Sequence, residues 1–375
     1  MFAVIPLRPA RPAPLLARGL RMVSAAVVTV TLACAALVAG PELGVFSGHT
    51  DIGPIKQPGT VSYDAANSAY TIGASGGNMW FKQDAFHFVW KKLSGDFALT
   101  ADVDFVGTSA EPHRKACLLI RESLDDDARY ADIARHGDGL TSLQFRDEKQ
   151  GITREVQTSI AGPRRLRLEK IGDTIYMSLA PPGGELAPSG CSVRLPFTGE
   201  FYVGLGVCAH NNDAFETAVF SHVTFSAPSN QVTAVRSSLE TITLASQDRR
   251  SVYHTNDLIE APNWTRDGAA LYFNGGGHIY RLALAGTAAP ERIDTGFALK
   301  CNNDHGLSPD GTQLVISDQS KDGLSRIYTL PATGGVPREI TRNAPSYWHG
   351  WSPDGTTLAY CARRDGKFGI FTIPV

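Results

Sequence analysis

Three short stretches carry most of the side chains suited to holding a polar ligand. They are Lys115-Ala-Cys-Leu-Leu-Ile-Arg121, Tyr130-Ala-Asp-Ile-Ala-Arg-His136 and Leu140-Thr-Ser-Leu-Gln-Phe-Arg146. In an extended chain, successive side chains point to opposite faces. One face therefore collects Lys115 and Arg121, then Tyr130, Asp132 and His136, then Ser142, Gln144 and Arg146. The other collects Ala116, Leu118 and Ile120, Ala131 and Ile133, and Leu143 and Phe145, which suit a core. Neighbouring strands of this kind share a polar face with an aromatic ring and several planar hydrogen-bonding groups. That chemistry suits a sugar, whose hydroxyls pair with planar side chains and whose ring stacks on an aromatic. The plain alternative is an ordinary solvated sheet face. Trp80, His87 and Trp90 either rim the same surface or pack as core and edge residues.

A second constellation lies near the C-terminus. His305 and His349 stand 44 residues apart, with Asp304 and Trp348 directly before them. They occupy matching points of a repeat described below, on inner strands that would line a central channel. A shared metal there is disfavoured, because the third repeat offers Pro262. Hydrogen bonding between repeats is the alternative.

Other catalytic signals are weak. Gly73-Ala-Ser-Gly-Gly77 fits the Gly-x-Ser-x-Gly pattern, but a strand-like Asn78-Met-Trp-Phe81 follows where a nucleophile elbow needs a helix. Glu122 and Asp125-Asp-Asp127 form an acidic turn that reads as a loose Ca²⁺ site or a solvated loop. It lacks the ligand spacing of a dedicated calcium loop. No other cofactor is implied. No Cys-x-x-Cys pair occurs among the six cysteines, so neither a zinc nor a redox motif is supported. Cys34 lies in the leader; Cys191 and Cys208 either face each other across a hairpin or pack as isolated thiols, like Cys117, Cys301 and Cys361.

The elements that must position these groups are all strands. Residues 44–227 alternate in strand fashion over about twelve short segments separated by turn signals, which implies a sandwich of two antiparallel sheets. Downstream, one phrase recurs: Trp264-Thr-Arg-Asp-Gly268, Leu307-Ser-Pro-Asp-Gly311 and Trp351-Ser-Pro-Asp-Gly355, in steps of 43 and 44 residues. Apolar runs follow each copy, then His278-Ile-Tyr-Arg-Leu282, Arg326-Ile-Tyr-Thr-Leu330 and Gly369-Ile-Phe-Thr-Ile373. That period, with Asp-Gly turns between strands, is the signature of propeller blades.

The repeat resembles the blades of the TolB-like propeller family, a Tol-type biopolymer-transport family, over residues 237–375. The resemblance implies a periplasmic, non-enzymatic binding protein whose propeller docks partners in the cell envelope. Closed propellers have 4–8 blades, and 237–375 holds about three. The expectation is either an incomplete sequence or a three-blade arc that assembles with another copy. The succession of strands over 44–227 resembles the concanavalin A-like jelly-roll domains of exported bacterial proteins. Laminarinase-type sandwiches carry catalytic carboxylates as Glu-x-Asp-x-x-Glu; Ala101-Asp-Val-Asp104 has two acids and neither Glu.

The first forty residues differ in kind. Arg8, Arg11, Arg18 and Arg21 precede an uncharged run from Met22 to Gly40, with Ala33-Cys-Ala35 as a small-residue cleavage site. This reads as a secretory leader or an uncleaved anchor, and exports the rest either way. The expected organisation is leader 1–40, sandwich 44–227, linker 228–236 and propeller repeats 237–375. A net charge of −2 gives no electrostatic case for nucleic acid or anionic lipid, so membrane contact is expected only through the leader. The sequence reads as an all-β, exported, non-catalytic binding protein, with a glycan or other extended ligand on the sandwich and an envelope protein on the propeller. The alternatives are an envelope glycan hydrolase using the polar face, or a purely structural assembly module. The candidate site residues are Arg121, Tyr130, Asp132, His136, Gln144, Arg146, Trp80 and Trp90, with Asp304, His305, Trp348 and His349 in the propeller.

Overall fold

The computed structural model describes residues 43–181, 183–229, 235–286 and 289–375. The expected leader, with Cys34, and most of the expected linker lie outside the described residues. Every regular element among the described residues is a strand.

Two sheets form the sandwich. The first runs β1 (Gly48–Ile52), β6 (Phe86–Leu93), β15 (Phe201–Cys208), β8 (Lys115–Arg121), β9 (Tyr130–His136), β10 (Thr141–Arg146), β11 (Arg154–Gln157), β18 (Arg249–Thr255) and β17 (Ser237–Ile242). The second runs β14 (Ala187–Arg194), β13 (Thr174–Ala180), β12 (Arg165–Ile171), β7 (Phe97–Phe105), β16 (Glu216–Ser226), β3 (Ala69–Ala74) and β2 (Thr60–Asp64). A small hairpin, β4 (Met79–Trp80) and β5 (Gln83–Asp84), stands apart from both. The core between the sheets holds Ala116, Leu118, Ile120, Ala131, Ile133, Leu143 and Phe145, as the alternation predicts. The other faces of β8, β9 and β10 are nearly all buried as well. A second, smaller apolar cluster forms there, with Ile52, Met79, Phe86, Phe88, Cys117 and Leu119.

Three further sheets follow: β19 (Ile259–Trp264), β20 (Ala270–Gly275), β21 (His278–Ala283) and β22 (Glu291–Arg292); β23 (Cys301–Leu307), β24 (Gln313–Asp318), β25 (Arg326–Pro331) and β26 (Arg338–Glu339); and β27 (Ser346–Trp351), β28 (Thr357–Arg364) and β29 (Lys367–Pro374). These are the three expected blades. Their turns share one chemistry. The Ser308 hydroxyl donates to Asp310 at 2.5 Å and accepts the Gln313 N–H at 2.9 Å, while Asp310 accepts the Thr312 N–H at 3.0 Å. Ser352 with Asp354, and Thr265 with Asp267, repeat it. The glycines that follow have φ of +70°, +77° and +72°, a region where a Cβ is costly. These bonds hold the Asp310 carboxyl down at about 2.

One point corrects the sequence reading and a second decides between its alternatives. Residues 237–255, expected to belong to the propeller repeats, lie in a hairpin that extends the sandwich sheet. β18 pairs parallel with β11, Val156 opposite Arg249 and Gln157 opposite Arg250. The same hairpin packs Leu239, Val252 and Tyr253 on Leu271, Phe273 and Leu282 of the first blade. Apolar alternation marks a strand but does not name its partner. Second, the five described cysteines are all free, and Cys191 and Cys208 sit in different sheets rather than across one hairpin.

Candidate functional site

The pairing register gathers the predicted sandwich residues into rows. Arg121 lies opposite Tyr130, and Tyr130 opposite Arg146; Asp132 lies opposite Gln144; Lys115 lies opposite His136. The residues expected to share one face do share it. They are not in solvent: Arg121, Tyr130, Asp132 and Arg146 are fully buried, and Gln144 and His136 nearly so. Three segments lie over them, the 78–85 hairpin and the turns at 122–128 and 148–153. Alternation reports which side chains share a face and is silent on what covers it.

The covered face is a hydrogen-bonded frame. Asp84, on the hairpin, accepts two bonds from Arg146, Nη1 at 2.9 Å and Nη2 at 2.8 Å, with Arg121 Nη2 at 3.5 Å. Burial pushes the Asp84 carboxyl above its ordinary value, while Arg146 and Arg121 pull it back. Arg146 also reaches Phe81 O at 3.1 Å and Gly151 O at 3.1 Å, and its guanidinium lies 5.0 Å over the Tyr130 ring. Arg121 Nε donates to Ser123 O at 2.7 Å, and Nη2 to Asp125 O. Lys115 Nζ reaches Asn78 Oδ1 at 2.9 Å, Met79 O at 3.0 Å and Gln144 Oε1 at 3.3 Å. Tyr130 and Thr153 hydroxyls share a 3.2 Å bond.

Some groups in the frame are left over. Both Asp132 carboxylate oxygens, Arg121 Nη1 and His136 Nδ1 are buried without a partner, although the Cys117 thiol and the Gln144 N–H lie near Asp132. Burial pushes the Asp132 carboxyl up to about 7 and the His136 imidazole down to about 3, the latter with help from Lys115. Buried orphans of this kind are uncommon and call for an explanation. At the rim, His210 meets Glu111 at 3.0 Å and Asn78 at 3.2 Å, with the His113 ring 5.2 Å from His210 and 5.8 Å from His136.

What reaches solvent is the hairpin. Phe81, at its tip, is 64% exposed and has φ of +51°. For a residue with a Cβ that conformation costs about 1–2 kcal/mol. Its carbonyl is held by three donors: Arg146 Nη2, the Thr153 N–H at 2.9 Å and the Thr153 hydroxyl at 3.2 Å. Trp80 is half-buried, with Lys115 Nζ 5.4 Å from its ring centroid. Trp80, Phe81, Asn78, Lys82 and Gln83 line a cleft of about 440 Å³. Trp90 is not part of it; its ring packs edge-on against Tyr202 at 5.1 Å. His87 is buried and bonds Asp51 at 2.7 Å. Sequence reading missed Phe81, Asp84 and Thr153. The signal present was electrostatic: two arginines on a buried sheet require a carboxylate, and Asp84 stands two residues before the strand that begins at Phe86.

The remaining candidates fall elsewhere. Ser75 Oγ donates to Gln57 O at 3.0 Å, and a strand follows rather than a helix. In the acidic turn, Asp125 and Asp127 lie 2.7 and 3.4 Å from Lys149, and Glu122 lies 3.4 Å from Arg129. His305 and His349 do not occupy matching positions. Ladder pairing matches His305, opposite Ile316, with Trp348, opposite Tyr360; His349 is the extra residue of a bulge. His305 is buried with both ring nitrogens unpartnered, and burial pushes its imidazole down to about 4. His349 is exposed and 4.0 Å from Asp304. The Trp348 ring covers Gly306, where a Cβ would meet it at 2.3 Å.

No family model matches the chain. A protein of Agrobacterium fabrum named uncharacterized protein Atu1656 is 52% identical over 142 residues, 38% of this chain and 48% of the relative. The chain thus spans about half the length of the curated relative it matches. A solved structure of a candidate TolB from Agrobacterium tumefaciens is 53% identical over 37% of this chain and 50% of that one, with a TM-score of 0.36. Alginate lyase A1-II′ aligns over 45% of this chain and 83% of its own at 13% identity and a TM-score of 0.32, too distant to bear on function. The fold is all-β, a β-sandwich followed by a partial propeller.

Proposed function

We propose that the chain is an exported, non-catalytic binding protein of the cell envelope, whose sandwich takes a glycan at the Trp80–Phe81 hairpin and whose propeller blades dock a protein. The observation that carries the glycan reading is Phe81: an exposed ring on a strained backbone, its carbonyl held by a buried arginine and a threonine. Strain maintained by its surroundings clusters at ligand sites. Beside it, Trp80 offers a second ring, and Lys82 and Gln83 offer groups for hydroxyls. In this reading Arg121, Tyr130, Asp132, His136, Gln144 and Arg146 act beneath the ligand by positioning the hairpin. Export rests on the basic, then uncharged, first forty residues. Docking rests on the blade resemblance and the sequence likeness to the Agrobacterium protein.

A glycan array probed with the exported chain tests this. Binding that disappears in Trp80→Ala and Phe81→Gly, with unfolding unchanged, supports it; binding that survives both overturns it.

A further inference from the structure

A cavity of about 180 Å³ lies between the β17–β18 hairpin and the strands β13 and β14 at the edge of the second sheet. Side chains reach it from both elements. On β13 and β14, Ile175, Met177, Cys191 and Val193 belong to the core. Tyr176, Gly190 and Ser192 therefore occupy the opposite face, where Tyr176 and Ser192 are directly paired. On the hairpin, Ser238 stands opposite His254, and its hydroxyl donates to Gly190 O across the gap. Arg236, two residues earlier, crosses the gap as well, its guanidinium 5.4 Å over the Tyr176 ring. Gly190 lines the cavity at φ of +78°. A Cβ there would meet Ser251 Oγ at 2.5 Å, His254 Cβ at 2.8 Å and Ser238 Oγ at 2.9 Å, so these three groups approach one point from the hairpin side. Ser251 is 4% exposed, and its Oγ has no hydrogen-bond partner among the described residues.

The charge balance of this cavity is one-sided. No aspartate or glutamate lines it among the described residues, and Arg236 forms no ion pair among them. Two acids stand close in the ladders, and each already holds an arginine of its own. Glu169, opposite Tyr176, lies 3.1 Å from Arg167, and Glu240, opposite Ser251, lies 3.0 Å from Arg249. Burial pushes the His254 imidazole below its ordinary value, so at neutral pH the ring offers one N–H rather than a charge. Most other lining groups are hydroxyls, Ser192, Ser237 and Thr255 among them, which both donate and accept. A guanidinium with no resident carboxylate, beside an orphaned hydroxyl, is the complement of an oxyanion. A carboxylate accepts two parallel bonds from the guanidinium fork and a further one from a hydroxyl. The volume is several times the ~30 Å³ share of one water, which leaves room for a hydroxylated body beside the anionic group.

We propose that this cavity is a binding site for a small hydroxy acid, its carboxylate on Arg236 and Ser251 and its hydroxyls on the serines and threonine around them. The site is separate from the Trp80–Phe81 hairpin, so this inference and the glycan reading can fail independently. Calorimetric titration of the whole chain tests it, with D-gluconate and D-glucuronate as probes, D-glucose as the neutral control and sulfate as the bare oxyanion. The expected result is saturable 1:1 binding of at least one acid, no heat from glucose, and weaker binding of sulfate. Tighter binding of gluconate marks an open-chain acid, and tighter binding of glucuronate marks a cyclic one; both support the site. Affinity should fall at least ten-fold in Arg236→Gln and at least three-fold in Ser251→Ala, fall again at high salt, and stay unchanged in Phe81→Gly. Because Ser251 is buried, Arg236→Gln, checked for an unchanged unfolding midpoint, is the deciding variant. No saturable heat with either acid overturns the proposal, as does an affinity unchanged in Arg236→Gln. Glucose or sulfate binding as tightly as both acids overturns it too.

Discussion

Arg146 holds the carbonyl of Phe81 at 3.1 Å across 65 residues of chain, and with the same guanidinium grips Asp84 three residues further on. One buried cation thus fixes both ends of the hairpin tip. Arg146 itself is fully buried and cannot touch a ligand directly. Its effect on binding has to pass through the geometry of Trp80 and Phe81.

Removing that cation should be costly. Arg146→Met leaves the Asp84 carboxylate buried without its bidentate partner, a loss of about 3–5 kcal/mol for a broken buried pair. Urea unfolding should show this as a lower midpoint at similar slope. The double variant Asp84→Asn, Arg146→Met removes the stranded charge and should recover a large part of the loss. If the single variant costs less than about 1 kcal/mol, in the range typical of surface changes, the frame is not what holds the hairpin.

Phe81 allows backbone strain to be separated from ring contact. Glycine accepts φ of +51° without a Cβ penalty, so Phe81→Gly should unfold within about 1 kcal/mol of the parent while losing the ring. A β-branched side chain is least suited to that region. Phe81→Val should therefore be destabilised relative to Phe81→Gly, by roughly 1–2 kcal/mol. Thermal unfolding of the pair checks the order; a Val variant as stable as the Gly variant would place the backbone elsewhere.

Much of this arrangement was legible from the chain, and the part that was not shares a physical cause. Period-2 alternation placed Leu118, Ile133 and Leu143 in one core and Arg121, Asp132 and Gln144 on one face. The Asp-Gly turns were legible because their chemistry is local: a hydroxyl, a carboxylate and a positive φ within six residues. The cover was not legible. Residues 78–85 reach the face of β8–β10 through contacts tens of residues distant, and no local pattern encodes that encounter. Residue counting also equated His305 with His349, but a single bulged residue shifts the ladder and puts Trp348 in the matching place.

Asp132 and His136 should oppose each other in acid. The His136 imidazole is held at about 3, below its unfolded value near 6.5, so the unfolded chain binds the extra proton between those values. Stability from this group is present above about pH 6.5 and is lost as pH falls toward 3. The Asp132 carboxyl is held at about 7, above its unfolded value near 3.9. Its contribution is present below about pH 4 and is lost as pH rises toward 7. Between pH 4 and 6.5 the two slopes cancel in the parent. Asp132→Asn removes one of them, and its stability should climb with pH through that window more steeply than the parent's. Parallel profiles from unfolding at half-unit pH steps would show that Asp132 ionises normally.

The hairpin of β17 and β18 should belong energetically to the sandwich as well as to the blade it packs on. It pairs with β11 and is anchored from both sheets: the Glu155 N–H bonds Asp248 at 3.2 Å, Arg154 bonds Gln247 at 2.9 Å, and Arg249 bonds Ser192 O at 2.9 Å. A fragment spanning 43–228 keeps both sheets but ends the first at β11, with an unpaired edge beside the buried Val156. A fragment spanning 43–256 keeps the hairpin. At about 1 kcal/mol net for each hydrogen bond, the longer fragment should be the more stable by roughly 2–4 kcal/mol. The shorter one should self-associate through its open edge. Urea unfolding and sedimentation of the two fragments measure both effects. Equal midpoints with both species monomeric would mean that β11 closes the sandwich unaided and that the hairpin serves the blades alone.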